Sequence, residues 1–127
     1  MKIAIIDDSD ADRFLARRVL QNAFGNADVT EYESAQDAID PVRAGSQQHE
    51  PFVVFLDINM PRMNGFEFLD LVEDDVDSPP VFILMLTSSA AQADRDAANK
   101  YRCVKGFIEK PLTRDHLDAL APTLTAS

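Results

Sequence analysis

Cysteine, long apolar runs and basic residues are all scarce in this sequence. A single cysteine, Cys103, among 127 residues excludes an intramolecular disulfide and a cysteine-based zinc site, and it suits a reducing compartment. The longest apolar runs, residues 81–86 and 52–56, are far shorter than the roughly 20 residues that a membrane-spanning helix needs. Too few apolar residues precede Asp7 for a secretory signal. We therefore expect a cytoplasmic protein with no membrane partner.

Basic residues are outnumbered, because 12 lysines and arginines stand against 22 acidic residues for a net charge of -10. This charge repels phosphate backbones and anionic lipid, so we expect no nucleic-acid partner. The composition is otherwise that of an ordinary globular domain, with 46% apolar and 27% charged residues. We expect one domain over residues 1–127, large enough to bury a core without a disulfide or a structural metal.

Short β-branched runs alternate along the chain with longer segments whose apolar residues recur every three or four positions. The third and fourth runs are apolar on both faces, which is typical of central parallel strands. The alternation predicts an α/β fold, a doubly wound five-stranded parallel sheet with helices on both faces. The predicted strands cover residues 3–6, 29–32, 52–56, 81–86 and 104–108.

Capping residues and prolines predict where the helices begin and end. The first helix should end at Gly25, with an apolar stripe formed by Ala11, Leu15, Val19 and Ala23, and Leu20 and Phe24 beside it. Ser34 should cap the second helix, in which Pro41 predicts a kink or an early end.

The remaining helices follow the same rules. The third should cover residues 65–72, and Ser88 or Ser89 should cap the fourth. Thr113 should cap a fifth helix that ends before Pro122, because proline cannot donate the next helical hydrogen bond.

Reactive side chains directly follow four of the predicted strands. In an open α/β sheet, ligands bind beyond the carboxyl ends of the strands, so these side chains should converge at one edge. Three crowded carboxylates repel one another, and a fold keeps such a cluster only where a cation or a reaction offsets the repulsion. The residues are Asp7 and Asp8 after strand one, Asp57 after strand three, Thr87 and Ser88 at the end of strand four, and Lys110 after strand five.

The charges of this group indicate a divalent cation, since three carboxylates and the Lys110 ammonium leave two negative charges uncompensated. Hard carboxylate oxygens without cysteine or nearby histidine favour Mg2+, or Mn2+, over zinc. A metal with few protein ligands can also bind phosphate oxygens, which points to phosphoryl transfer onto a carboxylate. Asp57 is the expected nucleophile, and Lys110 and the Thr87 hydroxyl are expected to hold the phosphoryl oxygens.

These residues resemble a known family along the whole chain. The Asp7-Asp8 pair, the stretch Leu-Asp-Ile-Asn-Met-Pro-Arg-Met-Asn-Gly at 56–65, and the groups Leu-Thr-Ser at 86–88 and Lys-Pro-Leu at 110–112 resemble the receiver domain of two-component response regulators. The resemblance implies a flavodoxin-like fold. It also implies a stand-alone, chemotaxis-regulator-like response regulator that catalyses only its own phosphorylation and dephosphorylation, and so is not an enzyme in the usual sense.

The resemblance further implies the partners and ligands of the site. Asp57 would receive phosphate from a phosphohistidine of a sensor histidine kinase or a histidine phosphotransfer protein. The phosphorylated protein would then either relay the signal or be recognised by an unknown downstream protein. Asp8, Asp57 and the backbone carbonyl of Asn59 would bind Mg2+, with Asp7 acting through a water. The Lys110–Pro111 bond would be cis. We expect a monomer or a weak dimer.

The resemblance also implies a switch and a phosphate lifetime. Thr87 would move to bond the phosphate, and Phe107 would rotate into the vacated space. Asn59 and Ser89 would border the path of the attacking water, and because both are small and uncharged we expect hydrolysis in the middle of the family's range.

Three residues depart from the usual receiver pattern. They are Pro41 in helix two, Arg102 where many receivers have a glycine, and Pro122, which should shorten helix five and alter the output face.

Three other functions compete with that of a phosphorylated receiver. A hydrolase of the haloacid dehalogenase class needs an aspartic acid two residues after the nucleophile, where this sequence has Asn59, which cannot serve as a general acid. A flavodoxin-type binder needs a phosphate-binding loop after strand one, where Asp7 and Asp8 would repel phosphate. A receiver-fold interaction module that works without phosphorylation remains the main alternative.

Overall fold

The computed structural model describes residues 1–88 and 91–125. Its five strands are all parallel and form one sheet in the order β2-β1-β3-β4-β5. Each predicted strand is confirmed to within one residue at either end. The strands are β1 (Lys2–Ile6), β2 (Asp28–Tyr32), β3 (Phe52–Leu56), β4 (Val81–Thr87) and β5 (Val104–Glu109).

Helices cover both faces of the sheet and create two separate cores, which confirms the doubly wound α/β fold. Ala16, Leu20 and Leu117 pack on one face, and Ala38, Phe68 and Ala98 are among the residues that pack on the other. The helices are α1 (Asp10–Ala23), α2 (Ala35–Gly45), α3 (Gly65–Val72), α4 (Gln92–Ala98) and α5 (Arg114–Thr125). Thus α1 and α5 lie on one face, and α2, α3 and α4 lie on the other. Among the described residues, no helix has the length and apolar character needed to cross a bilayer.

Two predicted helix caps are confirmed and one is wrong. Ser34 caps α2 through a hydrogen bond from the Asp37 N–H, and the Thr113 hydroxyl accepts from the N–H of His116 at the start of α5. Ser88 does not cap α4, because the helix begins only after Ala91, which occupies the cap position in an extended conformation. The alternative cap, Ser89, lies outside the described residues.

The predicted apolar stripe of α1 is wrong in part. The buried residues are Ala16 and Leu20, whereas Leu15 is 51% exposed and Phe14 is 59% exposed. Each i+4 step advances about 40° around an ideal helix, so a row of four such positions drifts off the buried side. Ala11, at the start of the row, is exposed for the same reason.

Proline ends neither of the helices that contain it. α2 continues through Pro41 to Gly45, so the early end is wrong, and α5 continues through Pro122 to Thr125, so the expected truncation is wrong as well. The fixed φ of proline suits a helix, and in the last turn the lost hydrogen bond costs less than in the middle.

Arg102 stabilises its own turn before β5, where many receivers have a glycine. The carboxylate of Glu73 accepts hydrogen bonds from the backbone N–H groups of Arg102 (2.7 Å) and Cys103 (3.0 Å). The Arg102 guanidinium donates in return to the carbonyls of Glu73 (2.6 Å) and Val76 (3.2 Å). Burial and the neighbouring Glu73 raise the pKa of Cys103 to about 12. The turn is therefore bonded to the segment that follows α3.

Candidate functional site

The register of the sheet brings the three predicted carboxylates together. Ile6 pairs with Leu56, so Asp7 and Asp57, one residue further on, leave adjacent strands side by side. This is the point where the chain switches from one side of β1 to the other, the usual position of a ligand site in such sheets. Carboxylate oxygens of Asp7, Asp8 and Asp57 lie within 4.8 Å of one another.

Asp57 is held at the junction of β3 and α3. Its backbone N–H donates to the Ile6 carbonyl (3.0 Å), and its Oδ1 accepts from the N–H of Ile58 (2.9 Å). The N–H of Gly65 donates to the Ile58 carbonyl at 2.8 Å, which packs the start of α3 against this junction. A Cβ at Gly65 would lie 2.5 Å from the Asp57 carbonyl oxygen, so this close approach requires glycine.

The environment of Asp57 disfavours its charged form in the absence of a cation. Burial and the charge of Asp7 raise the pKa of Asp57 from 3.8 to about 6, against the opposing effects of Lys110 and of the Ile58 hydrogen bond. The residue is only 6% exposed, and Asp7 is only 2% exposed. Positive charge at this cluster would therefore stabilise the carboxylate form that a nucleophile needs.

Lys110 reaches this cluster from the end of β5. Its backbone N–H donates to the carbonyl of Thr87 (2.7 Å), and the Lys110–Pro111 bond is cis, as predicted. Its ammonium lies 2.7 Å from Asp7 Oδ2 and 3.7 Å from Asp57 Oδ2. Burial alone would lower the pKa of Lys110, but hydrogen bonds to carboxylates raise it above its ordinary value, so the ammonium form is retained.

The sequence reasoning missed Asp12 and Arg13, in the first turn of α1. Asp12 Oδ2 lies 2.8 Å from the Lys110 ammonium, and the Arg13 guanidinium donates to the Asp7 carbonyl at 2.6 Å. Arg13 also bonds Glu31 on β2 at 3.1 Å. A signal was present, because α1 begins immediately after the aspartate pair, so its first turn must lie beside the site.

The predicted switch residues lie on β4 and β5, outside the group formed by Asp7, Asp8 and Asp57. Thr87 is fully buried at the end of β4, and Phe107 on β5 pairs with Met85. Since alternate residues share a face, Thr87 and Phe107 both point to the side that α4 covers. Phe107 is half-buried, with the Arg95 guanidinium 4.7 Å from its ring centre. The structure does not bring Phe107 into the cluster itself.

Of the two residues predicted to control phosphate lifetime, only Asn59 belongs to the part of the chain that the structure describes. Asn59 is exposed, two residues after Asp57 in the loop before α3. Ser89 lies outside the described residues.

Clefts lie on both sides of the site. One, of about 220 Å3, is lined by Lys110 and Asp12 and by apolar residues that include Leu15 and Leu86. The other, of about 530 Å3, is polar and borders Asp8. The acidic cluster is therefore reachable by a group that approaches from outside.

The donor set suits a hard divalent cation. It consists of carboxylate oxygens from two strand ends, two of the three residues being buried and Asp8 exposed. Among the described residues, no cysteine or histidine belongs to the group. Oxygen ligands and a partly open site fit Mg2+ with retained waters, and the pocket fits a phosphoaspartate at Asp57.

Comparison with known proteins identifies the family. Residues 3–121 match the family model of the response regulator receiver domain. The chain belongs to this family. The receiver domain is 31% identical over 113 residues to the chemotaxis protein CheY1 of Helicobacter pylori, covering 89% of this chain and 87% of that protein. The match favours the receiver interpretation over the hydrolase and the flavodoxin-type binder.

Longer proteins and solved structures are also similar to this receiver domain. It is 34% identical to a protein-glutamate methylesterase/protein-glutamine glutaminase of Vibrio cholerae, covering 87% of this chain but only 29% of that protein. The chain spans about half or less of several curated relatives that it matches. A two-component response regulator from Cytophaga hutchinsonii superposes with a TM-score of 0.85 at 25% identity, over 99% of this chain and 97% of that one.

Proposed function

We propose that this receiver domain accepts a phosphoryl group on Asp57 from a phosphohistidine of a sensor histidine kinase or a histidine phosphotransfer protein. The orientation of the Asp57 carboxylate carries the proposal. Oδ1 is bonded to the Ile58 N–H, and Oδ2 lies 3.7 Å from the Lys110 ammonium. Oδ2 is thus the oxygen placed beside a cation, as an attacking carboxylate should be.

The proposed transfer is a displacement at phosphorus. Asp57 Oδ2 forms a bond to phosphorus as the bond from phosphorus to the donor imidazole breaks, and the imidazole nitrogen retains the electron pair. Lys110 and the Thr87 hydroxyl donate hydrogen bonds to the phosphoryl oxygens. Mg2+, held by Asp8, Asp57 and the Asn59 carbonyl with Asp7 acting through a water, would supply positive charge to those oxygens when bound.

The response is proposed to follow from movement of Thr87 towards the phosphate. Thr87 and Phe107 share a sheet face, and Phe107 contacts Arg95 of α4, so a shift of Thr87 can be transmitted to that helix. Rotation of Phe107 would end its contact with the guanidinium. Asn59 and Ser89 are proposed to set the lifetime of the phosphate.

At the level of the whole protein, we propose a stand-alone cytoplasmic receiver comprising residues 1–127, monomeric or weakly dimeric. It would catalyse only its own phosphorylation and dephosphorylation and would act through an unknown protein target. The similarity to CheY1 over most of both chains supports this proposal. A receiver-fold interaction module that needs no phosphate is the competing function.

The test is phosphoryl labelling by acetyl phosphate and by a panel of histidine kinases, followed by mass spectrometry. We expect wild type and Asp74→Asn, which alters an exposed acid after α3, to be labelled in Mg2+ but not in chelator. Asp57→Asn should stay unlabelled and folded. Label on Asp57→Asn would move the acceptor elsewhere, and failure of every donor to label wild type would favour the interaction module.

A further inference from the structure

Lys110 has a carboxylate partner that does not belong to the acidic cluster. Asp12, in the first turn of α1, places Oδ2 2.8 Å from the Lys110 ammonium, across 98 positions of sequence. Among the described residues, the carboxylates that lie close enough together to hold a cation are those of Asp7, Asp8 and Asp57. Asp12 therefore contacts the lysine of the site without being one of the grouped cation ligands.

The ammonium is closer to Asp12 than to the proposed acceptor. Its distances are 2.7 Å to Asp7, 2.8 Å to Asp12 and 3.7 Å to Asp57. Only the first two lie within the range of a hydrogen bond. Two of the three N–H donors of the ammonium are thus directed at carboxylates other than Asp57.

The backbone of Asp12 is fixed by the start of α1. Its N–H donates to the Ser9 hydroxyl at 3.2 Å, which caps the helix. The next residue, Arg13, connects the same turn to the Asp7 carbonyl and to Glu31. Asp12 is therefore presented to Lys110 from a rigid element rather than from a loop.

We propose that Asp12 is a positioning residue that holds the Lys110 ammonium back from Asp57 until a phosphoryl group arrives. The inference rests on the proposed phosphorylation of Asp57. To bond phosphoryl oxygens, the ammonium must shift away from Asp12, and the negative charge of Asp12 also opposes an incoming anion. Asp12 thereby lowers both the labelling rate and the affinity of the site for a phosphoryl group.

Asp10 provides a matched control for this effect. It lies in the same first turn of α1, carries the same charge and interacts in the same way with the helix N-terminus. Its carboxylate is 88% exposed and pairs with Arg13 rather than with Lys110. Asp10→Asn therefore makes the same change in net charge in the same helical turn and removes no direct contact of Lys110.

The experiment measures beryllium fluoride binding in the presence of Mg2+ by amide NMR, together with initial rates of labelling by acetyl phosphate. Because the Asp12 side chain is 39% exposed, its charge is partly screened. We expect Asp12→Asn to bind the probe about threefold more tightly and to label faster by a similar factor. Asp10→Asn should match wild type, and Asp12→Glu should retain the restraint. The side-chain resonances of Lys110 should shift in Asp12→Asn and stay unchanged in Asp10→Asn.

The outcomes separate this inference from the function on which it rests. If wild type is labelled but Asp12→Asn behaves like Asp10→Asn, or binds beryllium fluoride more weakly than wild type, the restraint by Asp12 is wrong and phosphorylation stands. If wild type neither binds the probe nor is labelled, the proposed function itself fails.

Discussion

At the scale of single residues, the protonation of Asp57 couples the site to stability. Burial and Asp7 raise the pKa of this carboxyl from 3.8 to about 6 in the folded chain. Between these two values the folded state binds more protons than the unfolded state, so the free energy of unfolding falls as pH rises. The loss is complete above the folded pKa, as long as no cation binds the cluster.

We therefore predict that Asp57→Asn is more stable than wild type in chelator near neutral pH, because the amide carries no buried charge. A pKa difference of this size corresponds to on the order of 3 kcal/mol at pH 7.5, and the gain should vanish below about pH 4. Urea unfolding at a series of pH values measures it, with Asp74→Asn as the exposed control. If the free energy of unfolding varied with pH in the same way for wild type and Asp57→Asn, the pKa of Asp57 would not be raised in the folded protein.

At the scale of elements, the junction between β3 and α3 sets the position of Asp57. A Cβ at Gly65 would lie 2.5 Å from the Asp57 carbonyl oxygen and 3.1 Å from the Ile58 Cα. Both neighbours are backbone atoms, so a side chain can be accommodated only if the junction shifts. The shift would displace the acceptor relative to Lys110.

We predict that Gly65→Ala lowers the free energy of unfolding by about 1–3 kcal/mol and slows labelling of Asp57. Gly25→Ala is the control, because its Cβ would meet the Gln21 carbonyl oxygen at 3.7 Å, an ordinary contact. That variant should be neutral or slightly more stable. Thermal unfolding and labelling rates test both. Equal behaviour of the two alanine variants would mean that the junction can accept a side chain.

At the scale of the whole molecule, excess negative charge opposes the compact state. The net charge is -10, and the cluster of Asp7, Asp8 and Asp57 concentrates part of it at one edge of the sheet. Monovalent salt relieves the general repulsion by screening. A bound divalent cation acts differently, because it stabilises only the folded state that holds its ligands together.

We predict that NaCl raises the melting temperature of wild type and of Asp8→Asn by similar amounts. Mg2+ at matched ionic strength should stabilise wild type further, by about 1.4 kcal/mol at ten times its Kd, and should have little additional effect on Asp8→Asn. Differential scanning calorimetry distinguishes the two responses. An equal Mg2+ response in both proteins would assign the effect to screening alone.

The strands of the sheet and the grouping of the reactive residues could be predicted from local patterns in the sequence. Short β-branched runs between segments of helical period predicted all five strands to within one residue, and with them the strand ends at which Asp7, Asp57, Thr87 and Lys110 stand. Strand ends are predictable because an apolar run gives way to polar residues at neighbouring positions of the sequence. In a parallel sheet those ends share one edge, so the grouping of the reactive residues followed from the sequence.

The tertiary structure decided which faces and which distant partners meet. The contact of Asp12 with Lys110, the bonding of Arg102 to Glu73 and the exposure of Leu15 all depend on how a helix is rotated about its axis and where its ends are placed. An apolar pattern specifies that rotation only coarsely, since neighbouring rows of side chains are separated by only a few tens of degrees around the helix axis. The continuation of α5 past Pro122 could not be predicted from local sequence preferences either, because these end a helix before a proline. The cost of one lost hydrogen bond is weighed against the packing of the whole helix on the sheet, and that packing exists only in the folded chain.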